Sequence, residues 1–189
     1  MVYSAAVPTQ IDQSVILEGV YFYGTDETTL GIVLTPACDF EQKKAELIQL
    51  CQLRDALDWI AILIQHDWRK LGLLNANGSR IAGPLSVNKT NDLSDKLRSI
   101  IGQRFPRYHW LPPLVGSKRP LIADFQSVTS LTQEDLEGAQ IVAALESPYR
   151  EALPTRYAAY MGRVGTPDYP VAHVQEWVDR TIEVLFPPV

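Results

Sequence analysis

Cysteine and histidine are both scarce in this 189-residue chain, with two of the first and three of the second. Two cysteines cannot build a disulfide framework or a four-cysteine zinc site, and no Cys-x-x-Cys or His-Glu-x-x-His spacing occurs, so no metal is expected. The glycine patterns that cradle phosphates and dinucleotides are missing, as is the Gly-x-Ser-x-Gly of serine hydrolases, and no cofactor is expected either. Long apolar runs are absent too. The longest, Trp59 to Ile64, has six residues, against about 20 for a bilayer-spanning helix. Residues 1–9 hold no Lys or Arg and no signal-like apolar core. Together these absences predict no membrane partner and a cytoplasmic location, where Cys38 and Cys51 stay reduced. Cationic excess is lacking as well: 22 acidic side chains against 17 Lys and Arg leave a formal charge of -5. That argues against nucleic-acid binding over a whole face and leaves room for a local basic patch.

What is present is a globular pattern, and the length suits a single core. Gln13 to Tyr23 and Leu30 to Thr35 are dense in β-formers and flank Gly24-Thr25-Asp26-Glu27, which predicts a hairpin ended by Pro36. A third strand is predicted over Ala45 to Leu53, with Ile48 and Leu50 on one face, Leu47, Cys51 and Leu53 on the other, and both faces covered. From Asp55 the period becomes helical: Leu57, Ile60, Ala61 and Ile64 form a stripe that Trp68 and Leu71 continue. Residues 75–91 are predicted as a mobile or insertion-like loop, followed by a helix over Asp92 to Phe105. Short strands are predicted over Arg107 to Leu111, Leu121 to Phe125 and Ala139 to Leu145. Ser147-Pro148 launches a helix that Pro154 should kink or split, and a last helix spans about Pro170 to Phe186. The order predicts one α+β domain over residues 1–189: strand-rich 13–53, helical 55–105, strands over 107–145 and helices over 147–186. Its sheet should be small, curved or barrel-like and mostly antiparallel, with about four helices packed outside.

Two constellations carry chemistry. Thr35-Pro36-Ala37-Cys38-Asp39 puts a thiol and a carboxylate where a strand gives way to a loop, which is either a reactive corner or a capped turn beside a small hydrophobe. A nucleophilic Cys38 needs a base, and His66, His109 and His173 are the only histidines; His109 is the one weighed as its partner. The second constellation is Tyr149, Arg150, Arg156, Tyr157, Tyr160 and Arg163. Arg156, Tyr160 and Arg163 fall at i, i+4, i+7, so one helix face can set two guanidinium groups around an aromatic ring and hold an anion, an acidic partner or single-stranded nucleic acid. The same helix can instead pair its arginines with Glu146, Glu151 or Asp168 and pack its tyrosines inward. Lys118-Arg119 sits in a Gly-Ser-Pro context and reads as a solvated turn.

Leu30 to Phe40, a strand ending in a Thr-x-x-Cys-Asp turn, resembles an element of poorly characterised bacterial and phage proteins. Leu145 to Pro167 resembles the helix that follows it there. Some of those proteins are similar to the PemK/MazF-like SH3-barrel superfamily, whose toxin members cleave RNA within bacterial conflict systems. The resemblance implies a barrel and, in its enzymatic form, a ribonuclease using Cys38, Asp39 and the Arg-rich helix. The toxins' arginine in the first loop has no match, since Gly24 to Thr29 carries only Asp26 and Glu27 as charges. The sequence therefore favours a non-enzymatic protein-interaction or regulatory factor of a stress or defence system, with Arg150, Arg156, Tyr160 and Arg163 as partner-binding residues. A nucleic-acid-binding ribonuclease is the alternative.

Overall fold

The structure, a computed structural model, describes residues 2–65, 73–74, 76–77, 85–162 and 171–187. It is α+β. Six strands form one curved, mostly antiparallel half-barrel sheet, and five helices are present among the described residues. The strands are β1 (Val15–Val20), β2 (Thr29–Val33), β3 (Ile48–Asp55), β4 (Tyr108–Leu111), β5 (Leu121–Leu131) and β6 (Gln140–Ala144). Their order across the sheet is β4-β5-β3-β2-β1-β6. The chain divides into two compact units, residues 1–54 with 106–166 and residues 55–105 with 167–189.

The first unit holds the sheet. β1 pairs with β2 and β2 with β3 through successive antiparallel ladders, and β6 returns to the outer side of β1. Both faces of β3 are covered as its alternation predicts: Cys51 and Leu53 join one apolar cluster, Ile48 and Leu50 the other. Leu47 is exposed instead, because β3 starts only at Ile48, three residues after the predicted Ala45. The first cluster gathers Ile16, Ile32, Leu53, Leu111, Phe125 and Leu145, residues drawn from both ends of the sheet, as only the concave side of a half-barrel can do. Tyr3 spans the gap between those ends. Its backbone pairs with Leu145 next to β6, and its hydroxyl donates to the Pro112 carbonyl just past β4, at 2.5 Å.

Among the described residues two α-helices belong to this unit, beside a short 3-10 turn at Glu134–Leu136. The first, α1 (Ala37–Glu41), occupies the predicted turn, with Pro36 as its N-cap. The long one, which we number α4 after the two helices of the second unit that precede it, is Tyr149–Gly162 and lays Leu153, Tyr157 and Tyr160 on the concave cluster. Pro154 neither splits nor ends α4. Proline does remove the N–H that would bond the Arg150 carbonyl, and that carbonyl accepts from Gln13 Nε2 and Ser14 Oγ instead, both at 3.0 Å.

The second unit contains α2 (Ala56–Gln65), α3 (Val87–Ile101) and α5 (Val171–Leu185). Asp55 caps α2 as predicted, its Oδ1 accepting from the Leu57 and Asp58 amides at 2.9 and 3.1 Å. α3 starts at Val87, five residues before the sequence pattern suggests, because residues 88–91 are polar and the apolar stripe begins only at Leu93. The part of the predicted 75–91 loop from Val87 on is therefore helix; residues 75 and 78–84 lie outside the described residues. α3 also ends earlier, at a Gly102 C-cap, and leaves Phe105 beyond the helix and 41 % exposed instead of buried. α3 buries Leu93, Leu97, Ile100 and Ile101, α5 buries Val174, Val178 and Leu185, and Arg98 ties the two helices by donating to Gln175 Oε1 at 2.7 and 3.0 Å.

Candidate functional site

The Thr35–Asp39 corner is built by the end of β2. Leu34 N–H donates to the Gln49 carbonyl, and the buried Thr35 hydroxyl accepts from the Gln49 amide at 2.7 Å, so the β2–β3 ladder is extended by a side chain where Pro36 ends it. Gln13 fixes α1 from the other side, because its Oε1 accepts from the Ala37 amide at 2.9 Å while its Nε2 holds the Arg150 carbonyl. Cys38 is exposed on this short helix, and its thiol points at Asp39 Oδ1, 3.5 Å away. A thiol and a carboxylate are thus together, as the motif suggests.

His109 is not with them. It lies on β4, from which β5 and β3 separate β2, and it is 2 % exposed on the concave face with Phe125 6.3 Å away between ring centroids. Burial, reinforced by the Arg156 guanidinium, pushes the imidazole down to about 3, and its Nδ1 has no hydrogen-bond partner. A ring that protonates only there is a poor base at neutral pH. The other cysteine is no better placed as a nucleophile: burial drives the Cys51 thiol far above its ordinary value, and it donates to the Asp124 carbonyl at 3.2 Å.

The Arg-rich helix is not one surface stripe. Arg156 is 5 % exposed and turns inward, with Nη2 3.4 Å from the Tyr108 carbonyl. Tyr157 and Tyr160 are half-buried and pack around Phe125, the first edge-on and the second tilted, at 5.4 and 5.9 Å between centroids. Arg150, half-exposed, pairs with Asp12 at 2.8 Å and not with the acids of its own helix. Arg163, His66 and Trp68 lie outside the described residues, as does the side chain of His173. The Ser117-Lys118-Arg119 loop is the expected turn, with Ser117 N–H on the Leu114 carbonyl. Among the described residues no group of three His, Cys, Asp or Glu could hold a metal ion, and no helix is long and apolar enough to cross a membrane.

Three features were not singled out from the sequence. Arg107 grips the buried Asp124 through two hydrogen bonds of 2.6 Å, which raise the arginine above its usual range. A cleft of about 470 Å³ opens beside Ile11, Phe40, Ile48 and Ile141, with Gln10 and Gln133 at its polar side. The third feature is the segment after β1. Phe22 is 3 % exposed and lies over Gly31, where a Cβ would come within 3.1 Å of its ring, whereas Tyr21 and Tyr23 are 57 % and 101 % exposed. The alternation Tyr-Phe-Tyr is the signal that would have found it: one inward aromatic implies two outward ones. Exposed Asp26 and Glu27 follow directly. Comparison with protein-family models and with curated proteins found no match.

Proposed function

We propose that this protein works by binding another protein and not by catalysis of its own, and that the β1–β2 connection is its contact. The observation that carries the reading is the pair Tyr21 and Tyr23, displayed on a segment that the buried Phe22 anchors against Gly31. Tyrosine offers a large amphipathic surface at the cost of only two side-chain torsions, and it is enriched among residues that dominate interface energy. Asp26 and Glu27 beside the pair repel phosphate backbones and favour a partner with basic groups around an apolar patch. The ribonuclease implied by the barrel-toxin resemblance draws less support, since His109, the histidine weighed as a base for Cys38, lies buried on β4 and Arg156 faces the core. We place its action in the cytoplasm, on the strength of two unpaired cysteines.

A photo-crosslinking amino acid at position 23, introduced in the cells that make the protein, tests this. The expected result is one discrete product that is absent when the probe sits at the equally exposed Val115. The purified complex should then lose about tenfold or more in affinity on Tyr21→Ser, Tyr23→Ser double substitution. Identical products from both positions, or RNA cleavage that disappears in Cys38→Ala, Asp39→Ala, would overturn the reading.

A further inference from the structure

An edge strand presents alternate N–H and C=O groups to its surroundings, and proteins normally block such an edge with charge, proline or a covering segment. β6 is the last strand of the sheet and reads Gln-Ile-Val-Ala-Ala, with none of those blocking residues. The opposite edge, β4, is buried throughout, and Arg156 reaches the Tyr108 carbonyl there. One end of β6 already accepts an added strand. Ser4 N–H donates to the Ala144 carbonyl at 3.0 Å, Glu146 N–H to the Val2 carbonyl at 2.9 Å, and Tyr3 pairs antiparallel with Leu145. A bend at Ala5 and Ala6 then takes the chain off the edge. Among the described residues no backbone group pairs with the outer side of Gln140–Ala143. The 470 Å³ cleft borders this same stretch through Ala139 and Ile141, and none of its lining residues is charged.

We propose that the outer edge of β6 binds an extended segment of a partner protein by strand addition, antiparallel to Gln140–Ala143 and in line with Val2–Ser4. The segment seats one apolar side chain in the cleft. Its direction fixes its ends: an antiparallel strand that starts beside Ala143 finishes beside Gln140, whose register partner is the exposed Glu18, with exposed Glu137 three residues upstream. A Lys or Arg therefore belongs at the segment's C-terminal end. The same end of the sheet carries Tyr21 and Tyr23, since they follow β1 directly. Main-chain hydrogen bonds supply affinity in this mode, and the side-chain pocket and terminal charge supply choice of sequence. The inference rests on the protein-binding reading above and names the partner's chemistry.

The probe is a library of N-acetylated pentapeptides with apolar residues at alternate positions and a C-terminal lysine amide, added to the ¹⁵N-labelled full chain. Binding should shift the amides of Gln140–Ala143. Methylating alternate peptide nitrogens should weaken binding about tenfold, the equivalent of one or two lost hydrogen bonds, and Glu18→Lys should weaken it further at low salt. The proposal falls if no library member binds at about 1 mM, if the N-methylated peptides bind equally well, or if the shifts map elsewhere. It also falls if β6 amides are protected only as the protein's own size rises with concentration, which would make a second copy the occupant. A partner cross-linked from position 23 with β6 untouched would remove this proposal and leave the protein-binding reading standing.

Discussion

His109 is a titratable ring enclosed by apolar neighbours and faced by Arg156 from α4. In the unfolded chain it takes up a proton near pH 6.5, whereas in the folded chain it does so only at about 3. The unfolded state thus binds more protons in that window, and stability is lost as pH falls from about 6.5 toward 3. At about pH 4.5 the loss amounts to about 3 kcal/mol. His109→Leu removes the group, so in urea unfolding its stability relative to the parent should improve by about that much between pH 7.5 and 4.5; an unchanged difference would show that the ring is solvated. Arg107 and Asp124 raise the opposite case. Asp124 is 2 % exposed while Arg107 is about a third exposed, so Arg107→Ala strands a buried carboxylate and should cost about 3 kcal/mol, the low end for a buried pair. This pair was not legible in the chain, because nothing in Arg107 and Asp124, 17 positions apart, says that β4 and β5 set Tyr108 opposite Asp124. Cys38 and Asp39 were legible because they are adjacent, whereas the depth at which His109 is enclosed was not, because a lone histidine among aromatics carries no sign of it.

Elements were read from period and punctuation, and they hold where both signals are strong. β1, β2 and the capped start of α2 follow their patterns, and the two-faced alternation of β3 is realised at Ile48, Leu50, Cys51 and Leu53, though not at Leu47. α1 and the first turn of α3 were invisible because five residues around Cys38 are too few to show a period and residues 88–91 carry no apolar stripe. α4 shows how a local rule is overridden: Pro154 leaves the Arg150 carbonyl without its intrahelical donor, and Gln13 and Ser14 supply two from outside. Gln13→Ala should therefore cost about 1–2 kcal/mol and speed hydrogen exchange at the Ala37 amide, which the same side chain holds. Exchange at Ala37 unaltered by the substitution would mean that α1 is fixed by its own turn. At the β1–β2 connection, Gly31→Val should push the Phe22 ring, already 3.1 Å from a would-be Cβ, off β2. The loss of order at Tyr21 and Tyr23 should then appear as narrowed side-chain resonances and weaker partner binding.

At the scale of the whole molecule, the two compact units are interleaved along the chain: residues 55–105 interrupt the sheet unit between β3 and β4, and residues 167–189 return to complete the helical one. α3 and α5, which Arg98 and Gln175 join, come from those two separate segments. Deleting residues 167–189 should strip hydrogen-exchange protection from Leu93–Ile101 while the β1–β2–β3 ladder keeps it; loss of both together would make the chain one cooperative block. The length suits a single core, and interleaving is a property of long-range contacts that leaves no mark on local pattern. The Tyr3 seam has a consequence in time. During synthesis β1 and β2 can pair within moments of each other, but Val2–Ser4 must wait for residues 144–146, with the whole 55–105 segment made in between. Closing a loop that long carries an entropy cost that only late contacts repay, so the first residues made are among the last to find their place.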